Sequence, residues 1–517
     1  MLDRFPRARW VALISVVALS FVSGAWLMRP APAPEGGVYQ QARLFENVVS
    51  AIHTHFLDSL GEGDLYQRAA GALVGSLHDP YAELLVGENF REYQRQMSGT
   101  EVDLGPDNGP TESGMEMPGG GLAPDDEVLS IDGTSTRGWS AQRLAEALRR
   151  GAGRVVTVVV RPHGSNREVV RHLTRKAVHV PAASRGLLLE RKVGYVILRR
   201  MSEGAAGELR AVVDSLVGDG MTALVLDLRS NPGGLIREGV AVASLFLHPG
   251  DTIATSVGRS PEHSKTYLAG EEGGWDGLRL ALLVNRGTAS SAELVAGALQ
   301  DHDRAVLIGT ASYGKGVLQT TYPLGEEVAI KLTTARWFTP SGRTVQRLPI
   351  DSLAAQSFLT PPSRPRSFHT DGGRPISDES GVTPDLLVRA MPLSEGERLL
   401  TSALGEEMDR FRLTILAYAA ELRASRTVVD DAFAITPAMR DTLYARVEDA
   451  GIPLDRATYD GAEEYVEEQL GCEIAREMFG AESVLRRQAR TDRQIQTALR
   501  VLRGAESQRE VLAAVAP

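Results

Sequence analysis

A regular alternation of apolar strand-like runs and helical segments begins near residue 193 and constrains the fold more than any other feature. The strand-like runs are at 195–198, 223–226, 280–284 and 305–308. Helical stretches, among them 203–216 and 291–300, separate them. This alternation is typical of an α/β domain with a largely parallel sheet. We therefore predict such a domain and expect two later runs, 328–334 and 337–339, to extend its sheet.

The rest of the chain divides by pattern into further regions. At 517 residues the chain is too long for one hydrophobic core. Helical periodicity predicts an N-terminal helical subdomain at 38–97. Glycines, short strands and one helix predict a small α+β domain at 98–175. The α/β domain then occupies 176–392, with 352–380 as a loop, and a charged helical extension occupies 393–517.

The N-terminus carries a membrane-targeting pattern. Arg4, Arg7 and Arg9 precede residues 10–28, which carry no charge and are long enough for a helix to cross a hydrocarbon core of ~30 Å. The basic flank predicts a cytoplasmic N-terminus. A cleaved signal peptide is the alternative, although the segment lacks a convincing small-x-small cleavage site. Residues 1–37 are therefore predicted to form a retained anchor and a Pro-rich linker.

Charge and cysteine content exclude two classes of function. The formal net charge is −10 and no long Lys/Arg block is present, so we expect no nucleic-acid partner. The only cysteine, Cys472, has no second cysteine to pair with in the chain. No Cys/His cluster has the spacing of zinc ligands. The sequence thus predicts neither an intramolecular disulfide nor a zinc site.

Three glycine-containing loops follow apolar strands in the α/β domain. They are 227–234 (Asp-Leu-Arg-Ser-Asn-Pro-Gly-Gly), 285–293 (Asn-Arg-Gly-Thr-Ala-Ser-Ser-Ala-Glu) and 309–316 (Gly-Thr-Ala-Ser-Tyr-Gly-Lys-Gly). Catalytic groups gather where strands of an open α/β sheet end, so we expect a site here. Taken singly, each loop has an ordinary explanation: a tight turn, an N-cap serine with Glu293 as capping-box partner, and a solvated lysine.

The third loop also comes close to the phosphate-binding pattern G-x-x-x-x-G-K-S/T, which supplies the rival hypothesis of a nucleotide hydrolase. Two features count against it. Gly316 stands where a hydroxyl would hold Mg²⁺. The following residues, 317–323, favour a strand and turn over the helix that a phosphate loop must open.

Together, the three loops resemble the signature segments of the C-terminal processing peptidases: D-L-R-x-N-P-G-G, then N-x-G-S/T-A-S-A-S-E, then G-K-G-x-x-Q. Their order matches, and the resemblance covers roughly residues 40 to 390. In that family the base lysine follows the nucleophilic serine by 25 residues, and an assisting glutamine follows the lysine by four. Ser290, Lys315 and Gln319 have this spacing. Ser291, beside the matched serine, is an alternative nucleophile that would break it.

The resemblance implies a mechanism in which Ser290 attacks a peptide carbonyl and neutral Lys315 takes its proton. Gln319 would orient the amine without adding a negative charge, which would raise the pKa of the lysine. The backbone N–H groups of Ser291 and of Gly233 or Gly234 would hold the oxyanion.

The resemblance also implies an overall architecture and setting. The expected fold is an α/β catalytic domain with a crotonase/Clp-protease-like β-sheet, an N-terminal helical subdomain, a truncated PDZ-like α+β domain and the helical C-terminal extension. The substrate would be a polypeptide, cut near apolar C-terminal tails, with no cofactor and no metal. The setting would be the periplasmic face of the bacterial inner membrane, and a homo-oligomer is compatible with the sequence.

The PDZ-like region looks abbreviated. Residues 100–114 offer Asp, Gly and Pro where an apolar strand and a carboxylate-binding loop would lie. We therefore expect weak capture of peptide carboxylates there.

Two competing functions remain open at this stage. A Ser/His/Asp hydrolase is one; its nearest histidine, His302, lies just past a helix end, where a solvated cation is more common. A non-catalytic envelope scaffold, binding partners through its PDZ-like and helical parts, is the other. Retention of all three catalytic side chains argues against the scaffold.

Overall fold

The computed structural model describes residues 37–106, 122, 126–149, 153–162, 165, 167–271, 273–347, 367–377, 381–425, 428 and 430–515. The predicted anchor at residues 10–28 lies outside these ranges. Within them, no helix combines the length and the apolar character needed to cross a membrane.

The chain divides into two compact units, with the boundary after Leu77. The described part of the first is a pair of helices, α1 (Val38–His55) and α2 (Glu62–Gly75). They contact each other through an aromatic pair, Phe45 and Tyr66, whose ring centroids are 6.0 Å apart. Both helices lie within the predicted 38–97 subdomain.

The second unit begins at His78 and contains the remaining elements. Its helices are α3 (Glu88–Ser98), α4 (Ala141–Arg149), α5 (Ala205–Gly218), α6 (Ile236–Ser244), α7 (Ser291–Asp301), α8 (Glu395–Leu404), α9 (Met408–Ser425), α10 (Pro437–Asp449), α11 (Arg456–Gly461), α12 (Glu463–Phe479), α13 (Ala481–Thr491), α14 (Arg493–Arg503) and α15 (Gln508–Ala513).

Its strands are β1 (Glu83–Val86), β2 (Thr100–Pro106), β3 (Glu127–Ile131), β4 (Thr134–Ser135), β5 (Val155–Arg161), β6 (Val169–His179), β7 (Leu187–Leu189), β8 (Val193–Ile197), β9 (Ala223–Asp227), β10 (Thr252–Gly258), β11 (Lys265–Leu268), β12 (Arg279–Val284), β13 (Val306–Gly309), β14 (Val317–Gly325), β15 (Val328–Phe338), β16 (Phe368–His369), β17 (Pro375–Ile376) and β18 (Leu386–Leu387).

The central sheet has the order β18-β13-β12-β9-β8-β7 and is parallel except for β7. This confirms the predicted parallel α/β core. Successive side chains on these apolar strands point to opposite faces, so both faces need cover. Residues of α5, α6 and α7 pack with Leu224 and Leu282 on one face. Residues of α14 and α15 pack with Val225 and Leu283 on the other.

The runs at 328–334 and 337–339 do not extend this sheet, as the sequence had suggested. They form one strand, β15, in a second sheet of order β1-β15-β10-β11, with β14 also paired to β15. Gly325 pairs with Val328, so only a short turn joins β14 to β15. A turn this short forces antiparallel pairing, whereas a parallel strand needs a long crossover.

Strand β1 interrupts the region predicted as purely helical. It pairs antiparallel with β15, Glu83 opposite Lys331. The side chains of Leu85 and Phe90 are buried against Ala329. Residues from 78 onward thus belong to the second unit and bring residues 79–81 to the neighbourhood of β14.

A third sheet, of order β2-β6-β5-β3-β4, accompanies α4. The expectation that 100–114 lacks a strand is wrong for its first half, because β2 pairs with β6 along its length, from Thr100 opposite His179 to Pro106 opposite Leu173. Pairing with a long neighbour compensates for a composition that disfavours strands. Residues 107–114, in the region where a carboxylate-binding loop would lie, fall outside the described residues.

The described helices of the predicted C-terminal extension contribute to more than one buried core. Helices α8 to α12 share a core of their own, which includes Leu400, Phe411 and Leu470. Helix α14 instead buries Ile495 and Leu499 on the parallel sheet. Within the predicted loop at 352–380, β16 and β17 form a small hairpin.

Candidate active site

Ser290 lies at the N-cap of α7, directly after the loop that follows β12. Its backbone has φ 55° and ψ −120°, a conformation that costs a non-glycine residue energy and is found mostly at functional sites. The residue is 8% exposed, whereas Ser291 is fully buried. Of the two adjacent serines, only Ser290 therefore has a solvent-accessible side of the kind a nucleophile needs.

Glu293 joins the loop of Ser290 to the loop of Lys315. Its Oε2 accepts the backbone N–H groups of Ser290 and Lys315, both at 2.8 Å. Its Oε1 accepts the Ser312 hydroxyl at 2.5 Å and the Gly314 N–H at 2.7 Å. Because one carboxylate oxygen binds both amides, the two loops are held side by side. The predicted capping partner thus also acts as a clamp.

Lys315 precedes β14, and its amine is fixed from two sides. Nζ donates to Oε1 of Gln319 at 2.7 Å. It also lies 4.9 Å from the centroid of the Tyr81 ring. Gln319 in turn donates through Nε2 to the backbone carbonyl of Tyr81, which orients its amide oxygen towards the amine. The predicted pairing of Lys315 with Gln319 is thus present, with Tyr81 as an additional partner.

Burial lowers the pKa of the Lys315 amine, and the positive charge of Lys331 lowers it further. Asp79 and Glu293 oppose this shift because negative charges favour the ammonium. The Tyr81 ring face also attracts a cation. Desolvation is the largest of these effects, so the pKa of Lys315 is lowered overall. Gln319 accepts a hydrogen bond from the amine without adding a negative charge.

The proposed oxyanion donors differ in whether their N–H groups already donate a hydrogen bond. The Gly233 N–H donates to Oδ1 of Asn231 at 2.9 Å. The N–H groups of Gly234 and Ser291 have no acceptor within the described part of the chain. An added Cβ at Gly233 would lie 3.0 Å from the Ser290 Cβ, so this turn directly faces the serine. Of the two glycines, Gly234 therefore has the N–H that is not already bound within the described part of the chain.

The serine and the lysine occupy adjoining loops, but the Lys315 amine donates to Gln319 and, among the described residues, not to Ser290 Oγ. Hydrogen bonds between catalytic groups are often unmade in a ligand-free site and tighten in the substrate complex. The arrangement supplies a strained serine at a helix N-terminus, a desolvated lysine and two free N–H donors. These are the parts that acyl transfer requires.

The nucleotide-hydrolase rival fails on the geometry of loop 309–316. The N–H groups of Gly314 and Lys315 bind Glu293, and that of Gly316 binds Oε1 of Gln346 at 2.9 Å. They are unavailable to a phosphate. The loop leads into the strand β14, which confirms the strand predicted there, and not into the helix that a phosphate loop opens.

His302 lies at the C-terminal end of α7, whereas Ser290 lies at its N-terminal end. An 11-residue helix separates them, a distance of about 16 Å at 1.5 Å per residue. The ring bonds to Asp371 and to the Thr252 carbonyl, both at 2.7 Å. His302 therefore cannot act as the base for Ser290.

Sequence reasoning missed several supporting residues. Ser312 donates to Glu293 and accepts the Val382 N–H at 2.6 Å, tying the lysine loop to a distant segment. Asn231 donates through Nδ2 to the Leu198 carbonyl at 2.7 Å and so holds the glycine turn. Both residues lie within the motif loops 227–234 and 309–316, so the motifs could have pointed to them. Tyr81 lies outside every motif.

Comparisons with known proteins show that the chain is similar to peptidases. The profile of peptidase family S41 matches residues 192–352. A carboxy-terminal-processing protease of Bartonella bacilliformis is 30% identical over 61% of this chain and 75% of its own length. A probable CtpA-like serine protease of Staphylococcus haemolyticus is 26% identical over 59% of this chain and 63% of its own length.

The chain thus spans three quarters of the first relative and slightly less than two thirds of the second. Among solved structures, a photosystem II D1 C-terminal processing protease is 22% identical, with a TM-score of 0.36 over 67% of this chain and 92% of that one.

Proposed function

Since the chain belongs to peptidase family S41 and is a serine peptidase, we propose that Ser290 is its nucleophile and Lys315 its general base. Gln319 orients the base, and the N–H groups of Ser291 and Gly234 bind the oxyanion. The observation that carries this assignment is the Glu293 carboxylate, which binds the backbone of Ser290 and Lys315 at once.

The reaction follows acyl-transfer chemistry. Neutral Lys315 removes the Ser290 hydroxyl proton as Oγ attacks the peptide carbonyl, and the resulting oxyanion is stabilised by the two backbone donors. The ammonium then protonates the leaving amine, which leaves an acyl group on Ser290. Water, activated by the same lysine, attacks the ester and releases the second product.

The state of Lys315 determines the pH dependence. Below its pKa the amine is protonated and cannot accept a proton, so activity is lost on acidification and rises as pH increases through that pKa. Because burial lowers the pKa of Lys315, the rise occurs at a lower pH than a solvated lysine would give.

The test is turnover of a fluorescence-quenched peptide by four purified proteins: the unaltered chain, Ser290→Ala, Lys315→Ala and Ser291→Ala. We expect both dyad variants to lose turnover while remaining folded by circular dichroism, since nucleophile and base act as a unit. Ser291→Ala is the matched control and should remain active. Full activity of Ser290→Ala, or loss of activity only in Ser291→Ala, would show that Ser290 is not the nucleophile.

The substrate and setting are further proposals. Similarity to a carboxy-terminal-processing protease supports cleavage of polypeptides near their C-termini, and the sequence resemblance adds a preference for apolar tails. The uncharged segment 10–28 supports a membrane anchor with the body in the periplasm. The sheet β2-β6-β5-β3-β4 with α4 is compatible with a PDZ-like domain.

These proposals have separate tests. Peptides ending in a free carboxylate or in an amide measure the tail requirement. A preference above about tenfold for the acid, or ~1.4 kcal/mol, would show carboxylate capture; equal cleavage would show its absence. Removing residues 1–37 should release an active enzyme from membranes. Recovery of the full chain in the soluble periplasmic fraction would refute the anchor.

A further inference from the structure

The C-terminal helix α14 begins at a residue that also reaches the catalytic sheet. Asp492 is the N-cap of α14, where its Oδ1 accepts the N–H groups of Gln494 at 2.8 Å and Ile495 at 3.1 Å. Its Oδ2 accepts Nη1 of Arg229 at 2.6 Å. One carboxylate therefore caps a C-terminal helix and binds the arginine of the first motif loop.

Gln494 makes a second contact from the same helix. Its Oε1 accepts Arg229 Nη1 at 2.9 Å, and its Nε2 donates to the Val388 carbonyl at 2.6 Å. Gln494 is 5% exposed, so this amide acts in a poorly solvated region. Hydrogen bonds from a charged group are stronger there than at the surface.

The other side of the Arg229 guanidinium is bound to Asp227 at the end of β9. Nε and Nη2 donate to the Asp227 carboxylate, the shortest contact being 2.6 Å. The Tyr195 hydroxyl donates to the same carboxylate at 2.7 Å. The Asp227 side chain is 4% exposed and that of Arg229 20%. Arg229 is thus fixed from both sides, by its own strand and by the C-terminal helix.

Arg229 immediately precedes the turn that carries the candidate oxyanion donor. Ser230 has φ 58°, a left-handed conformation that a non-glycine residue adopts only when its surroundings impose it. Its N–H donates to Oδ1 of Asn285 at 2.8 Å. The turn then passes through Asn231 to Gly234. The hydrogen bonds of Arg229 therefore hold the chain at the residue where this strained turn begins.

We propose that Asp492 and Gln494 are positioning residues for the oxyanion-binding turn, acting through Arg229. This inference rests on the proposed function of Ser290 and Gly234. Asp492 and Gln494 lie about 140 residues beyond the family match at 192–352, counted along the sequence. Helix α14 is then part of the catalytic support instead of an appended module.

The first test is Asp492→Asn, measured with the quenched peptide and with a peptide boronic acid. Asparagine caps helices as well as aspartate does, so α14 should persist while the charge facing Arg229 is removed. We expect kcat to fall at least tenfold with KM within twofold of the unaltered enzyme. Affinity for the boronate, whose adduct with Ser290 is a tetrahedral anion, should fall in parallel.

Asp455→Asn is the matched control. Asp455 is the N-cap of α11, where it accepts the Thr458 N–H at 2.9 Å, and it has no contact with Arg229. Its substitution should leave kcat and boronate affinity unchanged. If Asp492→Asn fails to fold, kcat and boronate affinity are measured in Gln494→Met. This variant keeps the volume of the side chain and removes its hydrogen bonds with Arg229 and with the Val388 carbonyl.

The outcomes separate the two proposals. If the unaltered enzyme is not inhibited through Ser290, the proposed function fails and this inference fails with it. If that inhibition occurs but folded Asp492→Asn or Gln494→Met keeps normal kcat and boronate affinity, only the positioning role is refuted. An equal loss in Asp455→Asn would show a general effect on stability and would also refute it.

Discussion

Replacement of Glu293 by Gln tests the clamp between the nucleophile and base loops. The Glu293 carboxylate accepts four hydrogen bonds, two at each oxygen. A glutamine amide keeps one acceptor oxygen and turns an NH₂ group towards the donors of the other. Two bonds to a charged acceptor are lost, each worth roughly 1.5–3 kcal/mol. We therefore expect about 3–6 kcal/mol to be lost from the arrangement of the two loops.

The loss should appear in both activity and stability. About 2.7 kcal/mol, slightly less than the lower estimate, is already a 100-fold change in rate when it acts on the transition state. We expect kcat/KM to fall at least 100-fold in the quenched-peptide assay, together with a lower midpoint of urea unfolding. Glu293→Asp, which keeps the charge on a shorter side chain, should lose less.

Glu293→Gln should also shift the acid limb of the pH profile, because it removes a negative charge that acts on Lys315. Glu293 is among the groups that raise the pKa of Lys315. Its replacement by a neutral amide lowers that pKa further, so the residual activity should rise at a lower pH than in the unaltered enzyme. Near-normal kcat/KM in folded Glu293→Gln, or an acid limb displaced to higher pH, would refute the clamp and its electrostatic role.

Three other substitutions test single features of the structure. Ser291→Ala removes a buried hydroxyl that has no hydrogen-bond partner among the described residues, so we expect unchanged kcat and a gain of about 1 kcal/mol in the free energy of unfolding; a loss of stability would contradict this. Gln319→Ala removes the acceptor that orients the amine, so kcat should fall roughly 10–100-fold, less than in Lys315→Ala; an equal loss would give Gln319 a role in proton transfer. Leu499→Ala opens a cavity between α14 and the sheet, since Leu499 is 2% exposed, and should cost about 2–5 kcal/mol in denaturant unfolding; a loss below about 0.5 kcal/mol would show that α14 does not cover the sheet.

The sequence predicted the parallel core and the loops that meet at its edge, because strong apolar runs and glycine-rich loops are local signals. Ser290, Lys315 and Gln319 were proposed because their spacing matches that of the family the loops resemble. In the structure, Glu293 binds the backbone of both Ser290 and Lys315, and Lys315 donates to Gln319. The sheet that β15 joins could not be predicted from its β-propensity. A β-branched run can pair with either sheet, and the short turn from β14 decides which.

Tyr81 and Asp492 could not have been found in the same way. Tyr81 acts on Gln319 through its backbone carbonyl, and every residue type has one. Asp492 is a common N-cap residue, and nothing in the local sequence shows that its second oxygen reaches Arg229. The charged C-terminal helices have an apolar side, but an apolar side does not reveal which surface it will cover. Strand β2 was missed because its stability depends on the partner β6.

The most direct test of the central claim is the position and pH dependence of covalent labelling by a peptidyl phosphonate. The intact protein would be labelled, digested and analysed by mass spectrometry, with Lys315→Ala treated in parallel. The account predicts a single adduct on Ser290, formed faster as pH rises through the lowered pKa of Lys315 and abolished in Lys315→Ala. An adduct on Ser291 or elsewhere, or Ser290 labelling that is equally fast without Lys315, would contradict it.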